Sequence, residues 1–479
     1  MLRTSSSRRM LSGLLALFSV LAVVGSLGAR PSADAAPPQD GQAGSGGPAV
    51  AHYAGAKVVS SKKAPDARLY RVGADAIEPT LGITKKGNIF YTAAGAGVEL
   101  MRSRDGGGTW ENTSPRLPTG QKTHVVTLDP YVYVSEATGR IFNIDLTVAC
   151  SFLSYSDDDG ETWVDNPLAC GRPVNDHQTL FSGPPAISPT TVYDEIVYYC
   201  WNDFSAGSSC SKSLDGGISW TVTGSPAFTG YDPNGEGQGF DNLCGGFHGH
   251  GVVGADGSVY LPKEYCGQPW LGISTDEGAT WQRVQVADNG TERLGSDTSI
   301  AVDKKGNLYY TYESEDQRLW LVTSKDGGQT WTSPKMVGAP KVNEVTLPTL
   351  DVRGPGKVAI GYVGTENSPY KKCGPNCSNA DYAKAKWNGY ITITANALSD
   401  KPLFYSAAVN DKRDPIWRGR CDFSNRCGPL LDFMDIEISP DGTPYAAFVD
   451  ACGPVCIEGT TNEMQQGIVG RLVGGPSLR

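Results

Sequence analysis

Short runs of alternating apolar and polar residues, each closed by Gly, Pro or Asp, fill the chain from about residue 70 onward. A period of two over four to eight residues is the pattern of a strand with one face buried. Gly and Pro interrupt nearly every stretch of ten residues, which argues against a helical bundle. Within the runs a larger unit recurs: a polar residue, a strand, a Gly-containing turn and a second strand rich in Tyr and Val. The units begin EPTLGITKKGNIFYTA at Glu78, DPYVYVSEATGRIFNIDL at Asp129 and DHQTLF at Asp176. They continue with HGHGVVGADGSVYLPKEY at His248, DTSIAVDKKGNLYYTYE at Asp297, PTLDVRGPGKVAIGYVG at Pro348 and LDFMDIEISPDGTPYAAFVD at Leu431.

A second motif follows five of these units: SRDGGGTW (103–110), SDDDGETW (156–163), SLDGGISW (213–220), STDEGATW (274–281) and SKDGGQTW (324–331). Ser and Asp side chains can accept backbone N–H groups, Gly supplies the turn's backbone angles and Trp packs under the neighbouring strand. The spacing therefore predicts a turn clamp after five of the units, whereas the sixth has only a degenerate ALSDKPLFYS (397–406) and the seventh ends in QGIVGRLVG. Seven units of four strands predict an all-β, seven-bladed β-propeller, with six blades the alternative if one weak unit merges into its neighbour. The last unit is one strand short, and either 56–61 or 67–72 can supply the missing strand. Residues 56–479 are read as this single domain.

In such a ring the first strand of each blade lines the central channel, and first-strand starts and second-strand ends meet at one mouth. The starts contribute Glu78, Asp129, Asp176 with His177 and Gln178, His248 with His250, Asp297, Thr349, and Asp432 with Asp435. The ends contribute Asp145, Asp203, Glu264 with Tyr265, Glu313, Glu366 and Asp450. Converging carboxylates fit acid/base or nucleophilic glycoside hydrolysis, as does a Tyr–Glu pair. An oxygen cluster with an occasional His also admits Ca²⁺, although no ligand set can be named and no cofactor is required. The structural alternative is that these groups cap strand starts, because buried polar groups need partners in any case.

The N-terminus carries Arg3, Arg8 and Arg9 before an apolar run from Met10 to Val24 and a small-residue stretch around Ala33-Asp34-Ala35, the pattern of a signal peptide over residues 1–35. Residues 36–55 read as a flexible leader, and no later segment is apolar enough to span a membrane. Removing 1–35 takes away Arg3, Arg8, Arg9 and Arg30 against Asp34, so the net charge moves from −10 to −13. An acidic, exported chain is a poor partner for nucleic acid or an anionic surface. The 12 cysteines then point to disulfides, most simply between neighbours: Cys150/Cys170, Cys200/Cys210, Cys244/Cys266, Cys373/Cys377, Cys421/Cys427 and Cys452/Cys456.

The Ser-x-Asp-x-Gly-x-Thr/Ser-Trp motif resembles the Asp-box of sialidase-type propellers, in which it is a structural turn away from the active site. The resemblance implies a secreted glycan-active propeller. Sialidases carry an Arg in a Phe/Tyr-Arg-Ile-Pro motif, and Tyr70-Arg71-Val72-Gly73 stands there with Arg71 in place but without Ile-Pro. The further Glu and Arg expected before the first box are not recognisable in TAAGAGVELMRSRDGGGTW, so Arg293, Arg418 and Arg420 are the substitutes at hand. The chain more closely resembles uncharacterised exported bacterial propellers called sialidase-like, through DPYVYV, TGRIF, DHQTL, CGGFHGHG, LLDF and Asp450-Ala451-Cys452.

The expectation is thus a secreted, monomeric glycoside hydrolase acting on an extracellular carbohydrate. Asp176, His177, Glu264, Tyr265 and Asp297 are its catalytic candidates. Arg71, Glu78, Asp129, Gln178, His248, His250, Arg293, Glu313, Arg418, Arg420 and Asp432 are its substrate-binding candidates. The alternative is a non-catalytic propeller that binds a glycan, a protein or Ca²⁺ outside the cell.

Overall fold

The computed structural model describes residues 42–43, 50–52, 59–60, 66–94, 98–116, 129–146, 151–169, 176–189, 192–203, 207–230, 244, 246–288, 298–314, 316–421, 427, 432, 434–452 and 465–479. Seven antiparallel sheets, each built on four consecutive strands of a ring, make up the molecule. Leu81–Ile83, Pro130–Val134, Asp176–Gly183, Val252–Val253, Ser299–Val302, Glu344–Gly354 and Ile436–Ile438 are the innermost strands of blades 1 to 7. Each inner strand packs against those of its two neighbours, and the seventh packs against the first. The fold is a closed seven-bladed propeller, so the six-bladed alternative falls away.

Closure joins the two ends of the described chain. Blade 7 takes Ile436–Ile438, Pro444–Asp450 and Gln466–Val473 from the C-terminal part and Asp66–Asp75 from the N-terminal part. Leu69 lies opposite Gly470 and Arg71 opposite Ile468. Segment 67–72 is therefore the closing strand, and its Ala67, Leu69, Tyr70 and Val72 are buried while Arg68 faces water. Val59–Ser60 instead pairs with Val50–Ala51, and Val50–His52 pairs with the outer strand Phe404–Ala408 of blade 6. Residues 1–35, which carry the export pattern, lie outside the described residues.

The repeated hairpin turns follow from local chemistry. Gly87 and Gly306 sit at φ 84° and 79°, where a Cβ costs about 1 kcal/mol, and their N–H groups close onto Thr84 O and Asp303 O at 2.8 Å. The second strands are Tyr-rich because they lie between blades. Tyr91, Tyr198, Tyr199, Tyr309 and Tyr310 are all fully buried, and each such ring contributes about 1.5–3 kcal/mol of burial. Tyr310 shows how the hydroxyl is accommodated: it donates to Trp270 O at 2.9 Å and shares a 2.7 Å hydrogen bond with Thr298 Oγ1.

All five Ser-x-Asp turns share one hydrogen-bond pattern. In the turn of blade 1, Ser103 Oγ donates to Asp105 and accepts from Gly107 N at 2.8 Å, while Thr109 N and Oγ1 both donate to Asp105. The equivalent serines Ser156, Ser213, Ser274 and Ser324 accept from the Gly N–H at 2.8–3.0 Å. Trp110, Trp220 and Trp331 each donate Nε1 to a Gly carbonyl of their own turn. Trp163 departs from this and bonds Thr113 O of the neighbouring blade.

Four disulfides have both cysteines among the described residues: Cys200–Cys210, Cys244–Cys266, Cys373–Cys377 and Cys421–Cys427. Each joins sequence neighbours and pins a hairpin or loop rather than linking distant blades. Cys452 is also disulfide-bonded, while Cys150, Cys170 and Cys456 lie outside the described residues. Four disulfides are consistent with an oxidising compartment. Among the described residues no helix is long and apolar enough to cross a membrane.

Candidate functional site

An inner strand has an open edge toward the channel, and its N–H groups need acceptors there. The neighbouring blade supplies them. Val132 N donates to Thr80 Oγ1 at 2.8 Å and Leu350 N to Ser299 Oγ at 3.1 Å. At the closing blade the acceptors are carboxylates: Leu81 N donates to Asp435 Oδ2 at 3.0 Å and Ile438 N to Asp351 Oδ2 at 2.7 Å. Thr80, Tyr131, Thr179, His250, Ser299, Thr349 and Asp435 occupy the equivalent position of the seven inner strands and make a ring of polar side chains.

Across that ring three blades meet. Tyr131 of blade 2 shares a 3.2 Å hydrogen bond with Thr179 and presents its ring edge to His250, centroids 5.0 Å apart. His250 Nδ1 in turn lies 3.8 Å from Asp435 Oδ1. Burial, with His177 adding to it, holds His250 down to about 3, so the imidazole is neutral at physiological pH. Burial pushes Asp435 up to about 7, against the N–H bonds of Leu81 and Ile436 and with the charge of Asp351.

Most candidates at strand starts come together at this mouth. Glu78, buried and at φ 49°, accepts from Asp432 N at 2.9 Å and so ties blade 1 to blade 7. Gln178 donates to Asp129 O at 2.6 Å and ties blade 3 to blade 2. His177, at φ 51°, stacks on Phe247 at 5.1 Å and meets the edge of His248 at 5.8 Å. His248 is fully buried with Nδ1 3.0 Å from Gly249 O, and burial together with His177 pushes its basicity well down. Asp176 begins its strand exposed, and its Oδ1 accepts from His177 N. Beside His250 a cleft opens between blades 4 to 7, lined by Gly249, His250, Thr298, Ser299, Leu347, Pro348, Thr349, Asp432 and Met434.

The remaining candidates have their contacts elsewhere. Tyr265 is a core residue, fully buried against Phe228 and Trp270, with its hydroxyl 3.3 Å from Thr229 Oγ1. Glu264 accepts from Gly267 N at 2.8 Å in the adjoining turn, and Glu313 is buried at the end of its strand. Arg71 donates to Asp450 Oδ2 at 3.2 Å and to Gln466 within blade 7, and burial outweighs this arginine in pushing Asp450 up to about 6. Arg418 pairs opposite Lys386 at the edge of blade 6, and Arg420 donates to Cys377 O. Arg293 and Asp297 lie outside the described residues.

Sequence reasoning missed two constellations. Asp351 and Glu437, both raised by burial, lie two residues deeper along the inner strands than the ring, with Arg353 and Glu136 paired at 2.8 Å beyond them. The period-two pattern from Asp435 to Glu437 carries a faint signal of this. In blade 6, Tyr382 donates to both oxygens of buried Glu344, at 2.8 and 3.0 Å, and Ser368 donates to the same carboxylate. Burial and Glu344 push the Tyr382 phenol up, away from the phenolate a nucleophile needs. No sequence pattern links residues 344 and 382. Among the described residues, no group of three or more His, Cys, Asp or Glu side chains is arranged to hold a metal ion.

No protein-family model matches the chain, and neither does any curated protein. Among solved structures, the chain is similar to YCF48 bound to D1 peptide, with 13% identity over 85% of this chain and 95% of that one at a TM-score of 0.46. It is similar to the Aleuria aurantia lectin in complex with α-methyl-L-fucoside, at 10% identity over 71% and 96% with a TM-score of 0.43. The leech intramolecular trans-sialidase is a third, at 16% identity over 85% and 69% with a TM-score of 0.39. At such identities the likeness concerns the propeller fold, and no residue role is carried across from these proteins.

Proposed function

We propose that this chain is an exported propeller that binds an extracellular glycan at the mouth where the inner strands begin. One observation carries the preference for binding over hydrolysis: carboxylates at this mouth are engaged by backbone N–H groups. Glu78 holds Asp432 N, Asp435 holds Leu81 N and Ile436 N, and Asp450 holds Cys452 N. Groups committed to capping strands are poorly placed to exchange protons with a substrate. The cleft itself mixes the hydroxyls of Thr298, Ser299 and Thr349 with Leu347, Pro348 and Met434. A sugar docking over the mouth of this cleft would meet both kinds of group, with its hydroxyls at the rim and its C–H groups on the face.

Hydrolysis is the second reading, and one feature favours it. Asp435 keeps a proton near neutrality beside neutral His250, which is what a general acid requires. A panel of glycans separates the two readings, measured for binding by calorimetry and for turnover by released reducing ends, with and without Ca²⁺. Binding without product supports the lectin-like reading. Product that disappears in Asp435→Asn establishes the hydrolase, and neither binding nor product from any glycan sinks both.

A further inference from the structure

The junctions that flank the closing blade differ in chemistry from those between blades 1 and 2 and between blades 5 and 6. Thr80 and Ser299 clasp their neighbours with neutral hydroxyls, whereas Asp435 and Asp351 clasp blade 7 to blades 1 and 6. Both clasping carboxylates are at least half buried, and Glu437, two residues beyond Asp435 on the inner strand of blade 7, feels the charge of each. We propose that Asp351, Asp435 and Glu437 make the closing blade a proton-operated clasp, which holds the ring more tightly when they are protonated than when they are ionised.

A neutral carboxylic acid still offers its carbonyl oxygen to the N–H of Leu81 or Ile438, so protonation keeps the clasp. Ionisation adds the cost of burying charge and of like charges facing one another. The surroundings do little to offset it. Facing these groups are Tyr131 and Glu136 of blade 2, His250 of blade 4 and Arg353 of blade 6. Arg353 is the cation of that set, and it is already paired with Glu136. His250 is neutral.

The sign follows from the weakened acidities. Asp435 at about 7, Asp351 at about 6 and Glu437 well above its ordinary value mean that the folded chain binds protons that the unfolded chain releases. The destabilisation is absent below the unfolded carboxyl range near pH 4 and grows as pH rises through about 6 for Asp351 and about 7 for Asp435. His248 and His250 act oppositely, because they are held neutral in the fold and favour unfolding as pH falls below about 6.5. The clasp is therefore read from variants relative to wild type.

Thermal midpoints of wild type and Asp435→Asn are measured from pH 8 to pH 5, the amide keeping an acceptor for Leu81 N. The variant should melt roughly 2–4 °C higher at pH 8, with the gap closing toward pH 5. Glu437→Gln should behave alike. A midpoint equal to or below wild type at pH 8, or an offset that does not change with pH, overturns the proposal. Should the variants fail to fold, wild type unfolded by guanidinium in weakly buffered solution at pH 7.5 decides the matter. Net proton release is expected there, and net uptake overturns the clasp.

Discussion

Two sets of carboxylates in this molecule carry the same chemical group and behave oppositely. Those of the outer turns, Asp105, Asp158, Asp215, Asp276 and Asp326, are all held below their ordinary value. Burial works against ionisation in most of them, but hydrogen bonds from Thr or Ser four residues on and from the turn's own Ser outweigh it. Asp326, with the least burial to oppose, is held at about 2 by Thr330 and Ser324. Those of the channel are raised: at Asp351 and Asp435 burial outweighs the N–H bonds they accept, and at Glu437 burial is joined by the charges of Asp351 and Asp435. Local donors within one turn thus keep a carboxylate charged, while a channel between blades cannot.

The sharpest test of the outer set is Glu277, which occupies the position after Asp276 at φ 60° and reaches into blade 3. Its carboxylate accepts from Ala186, Ile187 and Ser188 N–H groups and from Lys212 Nζ at 2.7 Å. Glu277→Ala should cost about 3–5 kcal/mol in chemical denaturation, since it leaves a part-buried lysine and three N–H groups without their acceptor. Burial alone would raise this acid, but Lys212, Ser188 and Ile187 hold it at about 2. Its contribution is accordingly full above pH 4.5 and lost as pH falls toward 2, the reverse of the channel. A cost unchanged between pH 7 and pH 3 would break the contrast.

Ser274→Ala should come next, at about 1–3 kcal/mol, because it strands the buried Gly278 N–H. The same substitution at Ser213 should cost a similar amount if the turns are equivalent clamps. Trp331→Phe is the smallest, about 1 kcal/mol for the lost bond to Gly328 O. Denaturant midpoints for the three variants would check that order.

The same contrast explains what could be read from the sequence. The outer turns are legible because the Ser, Asp, Gly and Thr that clamp each one lie within eight residues, and the blade count follows from the seven strand units, five of which they close. The closing strand was narrowed to two segments, of which 67–72 has the alternation that buries Leu69 and Val72 against blade 7. Channel residues gave no such signal, because their partners are distant in sequence: Asp435 bonds Leu81, and Asp351 bonds Ile438. Strand position placed Glu264 and Tyr265 near the mouth, yet it could not give side-chain direction. The alternation that leaves Glu264 half-buried turns Tyr265 into the core. His250 was recognised as a candidate from its strand start alone, but its meeting with Tyr131 and Asp435 required the ring to be closed.

Hydrogen–deuterium exchange, with and without a glycan that the panel identifies, tests the functional account most directly. Binding at the mouth predicts slowed exchange over Gly249–Val252, Thr298–Ile300 and Thr349–Leu350, with Gly278 and Gly328 of the outer turns unchanged. Slowed exchange at the outer turns with none at the inner-strand starts would contradict it.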